Sequence, residues 1–257
     1  MSRRLAFSTL GVPGAPLDDV IALARDTGYS GVELRCAEGE PLRPDTPTPR
    51  ARAIGRLFAD AGISVVCVCS YVRIARPDGD PVAEAMRHVE LAEALGAPFV
   101  RIFGALEGQS DVQERAVERL AVLASQLDGT VSVVIETHDA LLTGAAVGHV
   151  LAQVDSPWVG ALWDVINPWR AGEKPVVTAD ELAPWLRHVQ IKDAASTTDL
   201  APVLPGTGAV PIRESLAQLD RVGYTGWLSL EWERRWYPDA APLRDALTAF
   251  RAMLDPA

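Results

Sequence analysis

Cysteine, histidine and long apolar runs are all scarce in this chain of 257 residues. The three cysteines are an odd count and show none of the paired spacings of a zinc site. Cys67 and Cys69 stand two apart in an apolar run, so a strand places both on one face as small buried hydrophobes. Free thiols of that kind suit a reducing cytoplasm, the expected location. No stretch approaches the ~18 apolar residues that a membrane span needs. Met1 to Arg4 followed by Leu5-Ala6-Phe7 has the look of an export signal. Gly11, Pro13, Gly14 and Pro16 interrupt it early and no cleavage site follows, so it reads as a first strand. Basic residues are outnumbered 24 to 34, and the formal charge is −10. That excess argues against nucleic acid or an anionic membrane as partner and is compatible with carboxylates gathered around a cation.

What is present is a repeated alternation. Short apolar, β-branched runs occupy residues 5–10, 31–36, 63–71, 99–104, 131–137, 159–165, 189–194 and 226–232. Segments with helical period separate them. Val112, Ala116, Leu120, Leu123 and Leu127 fall on one helix face, as do Ile212, Leu216, Leu219 and Val222, and Leu243, Leu247, Phe250 and Leu254. Ser110 with Gln113 and Thr178 with Glu181 read as capping boxes, and Asp80-Pro81 as an N-cap before a first-turn proline. Gly28, Gly62, Gly96, Gly129 and Gly223 mark helix ends. Eight strand-helix units leave about 32 residues each, the scale of one crossover unit. The expectation is an α/β fold: a parallel eight-stranded TIM (β/α)8 barrel formed as a single domain over residues 1–257. Two long loops, 37–49 with four prolines and 195–211, follow strands and belong to the face where such barrels keep their sites.

Polar residues interrupt the later strands at their C-terminal ends. Strand five closes on Glu136-Thr137-His138 and strand six on Trp163-Asp164. Strand seven carries His188-Val189-Gln190-Ile191-Lys192-Asp193, and strand eight Leu228-Ser229-Leu230-Glu231. Alternation puts Glu136 with His138, Gln190 with Lys192 and Ser229 with Glu231. If Glu136, Asp164, Gln190 and Glu231 all face the barrel mouth, four oxygen donors converge. Three carboxylates there force protonation unless a cation intervenes, and an all-oxygen set suits Mg²⁺ or Mn²⁺.

These motifs, in this order and spacing, resemble the xylose isomerase-like barrel superfamily of sugar isomerases and epimerases, over essentially the whole chain. The resemblance implies one divalent metal, Mn²⁺ or Mg²⁺, on Glu136, Asp164, the Gln190 position and Glu231. It also implies Glu136 and Glu231 as acid and base on opposite faces of the reacting carbon. One Glu removes the proton next to a polarised carbonyl, and the metal-bound enediolate is reprotonated elsewhere. The substrate implied is a small sugar, sugar phosphate or keto-polyol. An inosose-type dehydratase on the same barrel, or a degenerate non-catalytic sugar-binding barrel, is the alternative. The histidine-rich, multi-metal phosphodiesterases of the superfamily fit poorly, because only four histidines occur.

Two positions depart from the family pattern: Gln190 replaces the second His of His-x-His-x-Lys-Asp, and Asn167 replaces a His three residues after the strand-six Asp. Substrate contacts are expected from His138, Asn167, Lys192 and Arg101. Lys192 either holds a substrate oxygen or neutralises Glu136 and Glu231 in the absence of metal. Arg101, a charge inside an apolar strand, is a structural ion pair, with Glu33 as its expected partner, or a substrate clamp. Gly206-Thr207-Gly208 is a plain turn or a phosphate loop. Trp169, Trp232 and Trp236 are candidates to stack on a sugar face. His88 and His149 read as surface residues of helices. A homo-oligomer is compatible with the sequence.

Overall fold

The apolar runs form strands and the intervening segments form helices in the computed structural model, which describes residues 3–254. Met1, Ser2 and residues 255–257, and with them the ends of the expected 1–257 domain, lie outside the described residues. The strands are β1 (Arg4–Ser8), β2 (Gly31–Arg35), β3 (Ser64–Arg73), β4 (Phe99–Phe103), β5 (Ser132–Glu136), β6 (Val159–Asp164), β7 (Leu186–Ile191) and β8 (Trp227–Leu230). The helices are α1 (Leu17–Thr27), α2 (Thr48–Asp60), α3 (Pro81–Leu95), α4 (Val112–Ala124), α5 (Gly144–Val154), α6 (Ile166–Arg170), α7 (Pro175–Leu182), α8 (Ile212–Arg221) and α9 (Leu243–Leu254). All neighbouring strands pair in parallel, and β8 closes on β1 through Leu5 and Leu228. This is the expected closed barrel. No helix among the described residues is long and apolar enough to cross a membrane.

The main core lies where helix faces meet the sheet. Val112, Ala116, Leu120 and Leu123 of α4 are buried, as are Leu243, Leu247 and Phe250 of α9. A smaller, separate cluster contains Ala6, Val66, Cys67 and Cys69, with Phe99 and Trp227 packed against it. Cys67 serves there as a small apolar filler, and Cys69 adds a hydrogen bond to Glu33.

The helix ends follow local chemistry, with two corrections. Asp80 caps α3 by accepting a hydrogen bond from the Ala83 amide, and Gly96 ends it at φ 74°, a conformation that costs glycine least. Ser110 does not cap α4: the N-cap is Asp111, with no side-chain cap bond. Thr178 lies inside α7, because Pro175 already starts that helix. Its hydroxyl donates to Glu173 instead, at 2.6 Å. β7 begins at Leu186, three residues before the apolar run suggests, so His188 is a strand residue.

The rim is tied down on two sides. Arg35 at the end of β2 forms an ion pair with Glu40, whose second oxygen accepts the Gly14 amide at 3.0 Å. The loop after β7 is gathered onto Asp193, whose carboxylate accepts the amides of Ala194, Gly206, Gly208 and Val210 at 2.8–3.2 Å. A Cβ on Gly208 would lie 2.2 Å from Asp193 Oδ1, which explains the glycine. The Gly206 and Gly208 amides are thus engaged by the chain's own carboxylate and the Thr207 amide by the Leu204 carbonyl, and the segment is a structural turn.

Candidate active site

β5, β6, β7 and β8 are in register such that Asp164 lies beside Gln190, and Gln190 beside Ser229. Glu136 ends β5, Asp164 ends β6, and Glu231 follows β8 directly. Carboxylate oxygens of Glu136, Asp164 and Glu231 lie within 4.8 Å of one another, and all three residues are buried. The expected convergence is present for these three.

Lys192 sits among them. Its ammonium is 2.9 Å from Asp164 Oδ2, 2.5 Å from Glu231 Oε2 and 2.7 Å from Glu233 Oε1. Of the two acids expected beside it, Glu231 is an ion-pair partner and Glu136 is not; Asp164 and Glu233 complete the set. Arg101 Nη1 lies 3.2 Å from Glu136 Oε2, so its partner is Glu136 and not Glu33. The four carboxyl groups Glu136, Asp164, Glu231 and Glu233 therefore face two cations, Arg101 and Lys192, and would leave two negative charges unmatched if all four ionised. Burial pushes the Asp164 and Glu231 carboxyls up, Lys192 opposes it, and the neighbouring carboxylates add to the rise. Burial works to lower the Lys192 ammonium, and the surrounding acids hold it well above its usual range.

Gln190 belongs to a second network, beside Asp164 in register. Its Nε2 donates to Glu33 Oε2 at 2.8 Å, and its buried Oε1 has no hydrogen-bond partner. Glu33 is wholly buried, with His188 Nε2 2.5 Å from its Oε1 and Cys69 donating to its Oε2 at 3.3 Å. Burial favours the neutral acid, but His188, Ser229 and Gln190 outweigh it and draw Glu33 down to about 2. A depressed carboxylate stabilises the fold above its unfolded pKa, here about 4.5, and that contribution is lost as pH falls towards about 2. Glu33→Gln is therefore expected to lower stability at pH 7 by about 3–5 kcal/mol. The deficit should shrink towards pH 2; denaturant melts across that range check it.

A cavity of about 220 Å³ opens above the cluster. That is below the ~300–1,000 Å³ of drug-sized sites, so a small metabolite fits. Glu136, Glu231 and Glu233 reach its wall, together with Arg101, His138 and Trp236. His138 Nδ1 lies 3.0 Å from Asp139 Oδ1. Burial acts to lower the imidazole, but Asp139 and then Glu136 raise it. Asn167 is buried and holds Asp164: its Nδ2 donates to Asp164 Oδ2 at 2.9 Å, and its Oδ1 accepts from Arg170. Of the tryptophans, Trp236 is the one on the cavity wall. Trp232 is buried and donates to the Ala241 carbonyl, and Trp169 packs against the core. His149 is exposed as expected, but His88 is buried: its Nδ1 donates to the Glu84 carbonyl of the preceding turn.

Sequence reasoning passed over Glu233 and Arg73. Glu233 is two residues beyond Glu231, and Arg73 continues the Cys67, Cys69, Tyr71 alternation. The period-2 pattern run past the apolar segment finds both.

Comparison with known proteins places this geometry. The description "xylose isomerase-like TIM barrel" belongs to a family whose model matches residues 21–253. A 3-dehydroshikimate dehydratase of Bacillus anthracis is 24% identical, over 83% of this chain and 84% of its own. A fructoselysine 3-epimerase of Escherichia coli O157:H7 is 24% identical, over 96% of both chains. Among solved structures, the IolI protein with a bound zinc atom superposes with a TM-score of 0.83 at 17% identity, covering 98% of this chain and 97% of that one. The relatives include both epimerases and a dehydratase, which share the barrel and differ in what they make. With a match running from α1 into α9, and eight strands closed in the same order, the chain belongs to the xylose isomerase-like TIM barrel family.

Proposed function

We propose that this protein is a divalent-metal-dependent isomerase or epimerase of a small sugar or keto-polyol. The observation that carries the reading is the buried Glu136–Asp164–Glu231 cluster, with more acids than cations around it and open to a metabolite-sized cavity. An all-oxygen set of this kind fits a hard cation, with Mn²⁺ or Mg²⁺ as the natural occupants. Glu136, Asp164, Glu231 and the free Oε1 of Gln190 would hold it, and Asn167 fixes the Asp164 carboxylate. When bound, the cation supplies Lewis-acid polarisation of a substrate carbonyl.

The chain's own residues handle the protons. β5 and β8 stand three strands apart round the barrel, so Glu136 and Glu231 approach the cavity from different sides. One takes the proton next to the carbonyl, and the other returns a proton to the opposite face or to the adjacent carbon. Burial raises Glu231 towards neutrality, which matches a group that must both accept and release a proton near pH 7. Lys192, at 2.5 Å, holds the deprotonated form.

A dehydratase is the second reading. His138 lines the same cavity with its imidazole raised beside Asp139, and so can protonate a departing hydroxyl. Proton exchange separates the readings. The Mn²⁺-supplemented protein is incubated with ketohexoses and inososes in D₂O and followed by NMR. An isomerase or epimerase incorporates one deuterium at the carbon next to the carbonyl and gives a product of equal formula. A dehydratase yields an unsaturated product lacking one water. Binding without exchange with any substrate would leave a non-catalytic sugar-binding barrel and end the enzymatic reading.

A further inference from the structure

Asn167 is the only asparagine in the chain, and its amide is spent on Asp164. It stands in α6, the short helix that follows the end of β6, and it is 4% exposed. The next residue is Pro168, which biases Asn167 away from the helical backbone it adopts. Backbone preference therefore does not account for this residue. Its side-chain contacts do.

Those contacts form a chain that leads away from the cavity. Asn167 Nδ2 donates to Asp164 Oδ2 at 2.9 Å, and Asn167 Oδ1 accepts from Arg170 Nε at 3.1 Å. Asp164 Oδ1 accepts the Ile166 amide at 3.3 Å. A side-chain amide has two unlike ends. Turned by half a rotation, it would set its N–H against the guanidinium and its oxygen against the carboxylate. Arg170 and Asp164 therefore specify one orientation of Asn167 from opposite sides. Arg170 follows Asn167 by three residues, so one helix face carries both. Its guanidinium is not on the cavity wall. Its other partner is Glu107, in the loop between β4 and α4, at 3.7 Å. The Glu107 side chain is 67% exposed, and an ion pair of that kind contributes little.

We propose that Arg170 is a positioning residue. Acting through Asn167, it holds the Asp164 carboxylate in the posture that brings it within 4.8 Å of the Glu136 and Glu231 carboxylates. This rests on the reading of those three acids as a cation site. Groups behind a metal ligand set its orientation, and their loss commonly costs about 10- to 100-fold in affinity. The working part of Arg170 is the Nε–H that fixes the amide, not the positive charge. A glutamine at the same position carries an N–H donor as many bonds from the backbone as Arg Nε, without the charge. A methionine has similar length and no donor.

Two measurements on the full chain test this. In calorimetric titration of chelator-treated protein with Mn²⁺, Asn167→Ala should weaken binding about 10- to 100-fold and Arg170→Met about tenfold. Arg170→Gln and Glu107→Gln should stay within about threefold of the wild type. Arg170→Met combined with Asn167→Ala should be no weaker than Asn167→Ala alone, because Arg170 acts only through Asn167. The second measurement needs no metal. Protein labelled with ¹⁵N-asparagine gives one side-chain NH₂ pair, since the chain has one asparagine. Its exchange with solvent should be at least about tenfold faster in Arg170→Met than in the wild type, and close to the wild type in Arg170→Gln. Melting temperatures near that of the wild type show that the variants are folded. Equal losses in Arg170→Met and Arg170→Gln, additive losses in the double variant, or unchanged exchange in Arg170→Met overturn the positioning role. If the wild type binds no Mn²⁺, the cation reading fails by itself, and the exchange rates decide whether Arg170 orients Asn167.

Discussion

Glu136→Gln and Glu231→Gln should each lower kcat by about 10²- to 10⁴-fold, the usual loss for a general acid or base. Their effects on stability should have opposite signs. Glu231 belongs to a cluster with more acids than cations, and Lys192 retains Asp164 and Glu233 when it is gone. Glu231→Gln is therefore expected to leave the metal-free protein as stable as the wild type or more so, the common trade between a strained site and stability. Glu136→Gln removes the carboxylate beside Arg101, which is only 5% exposed. A buried cation stripped of its partner costs about 3–5 kcal/mol. Steady-state kinetics on a turned-over sugar and metal-free thermal melts read both. Turnover within about threefold of wild type in either variant removes that residue from the chemistry.

Lys192→Met should behave differently with and without a divalent cation. In the metal-free protein Lys192 is the cation shared by Asp164, Glu231 and Glu233. Its removal sets like charges against one another in a buried space, with an expected loss of about 3–5 kcal/mol. For a chain of this size that lowers Tm by roughly 6–20 °C. Saturating Mn²⁺ should recover most of the loss, because a cation bound to the folded form alone stabilises it by mass action. Identical melting of variant and wild type, with or without Mn²⁺, would show that Lys192 does not balance the cluster.

The barrel was legible because its strands are short apolar runs and each helix keeps one apolar stripe. The late strand ends were legible for a related reason: Glu136, Asp164 and Glu231 break apolar runs where nothing structural asks for a charge. Pairing across the lumen was not legible. Arg101 is in register with Cys69 on one side and Val134 on the other. Glu136, two residues beyond Val134 on the adjacent strand, is therefore within reach. Glu33 is in register with Cys67, lower in the barrel, and meets β7 across the lumen instead. Strand tilt and stagger set these heights, and no local sequence pattern encodes them. The Glu33–His188 pair was hidden for the same reason, and also because Arg187 and His188 mask the start of β7. Thr178 misled because a capping pattern competes with Pro175, and the proline's fixed φ decides where the helix starts.

Glu136, Asp164 and Glu231, with Gln190, are proposed to form a binding site for one divalent cation. Calorimetric titration of chelator-treated protein with Mn²⁺, wild type against Asp164→Asn, tests it most directly. Asp164 is the right position because it is wholly buried within the cluster and the proposed proton transfers fall to Glu136 and Glu231. The expected result is one ion per chain for the wild type and an affinity at least tenfold weaker in the variant. No saturable binding to the wild type, or equal affinity in both, would contradict the claim.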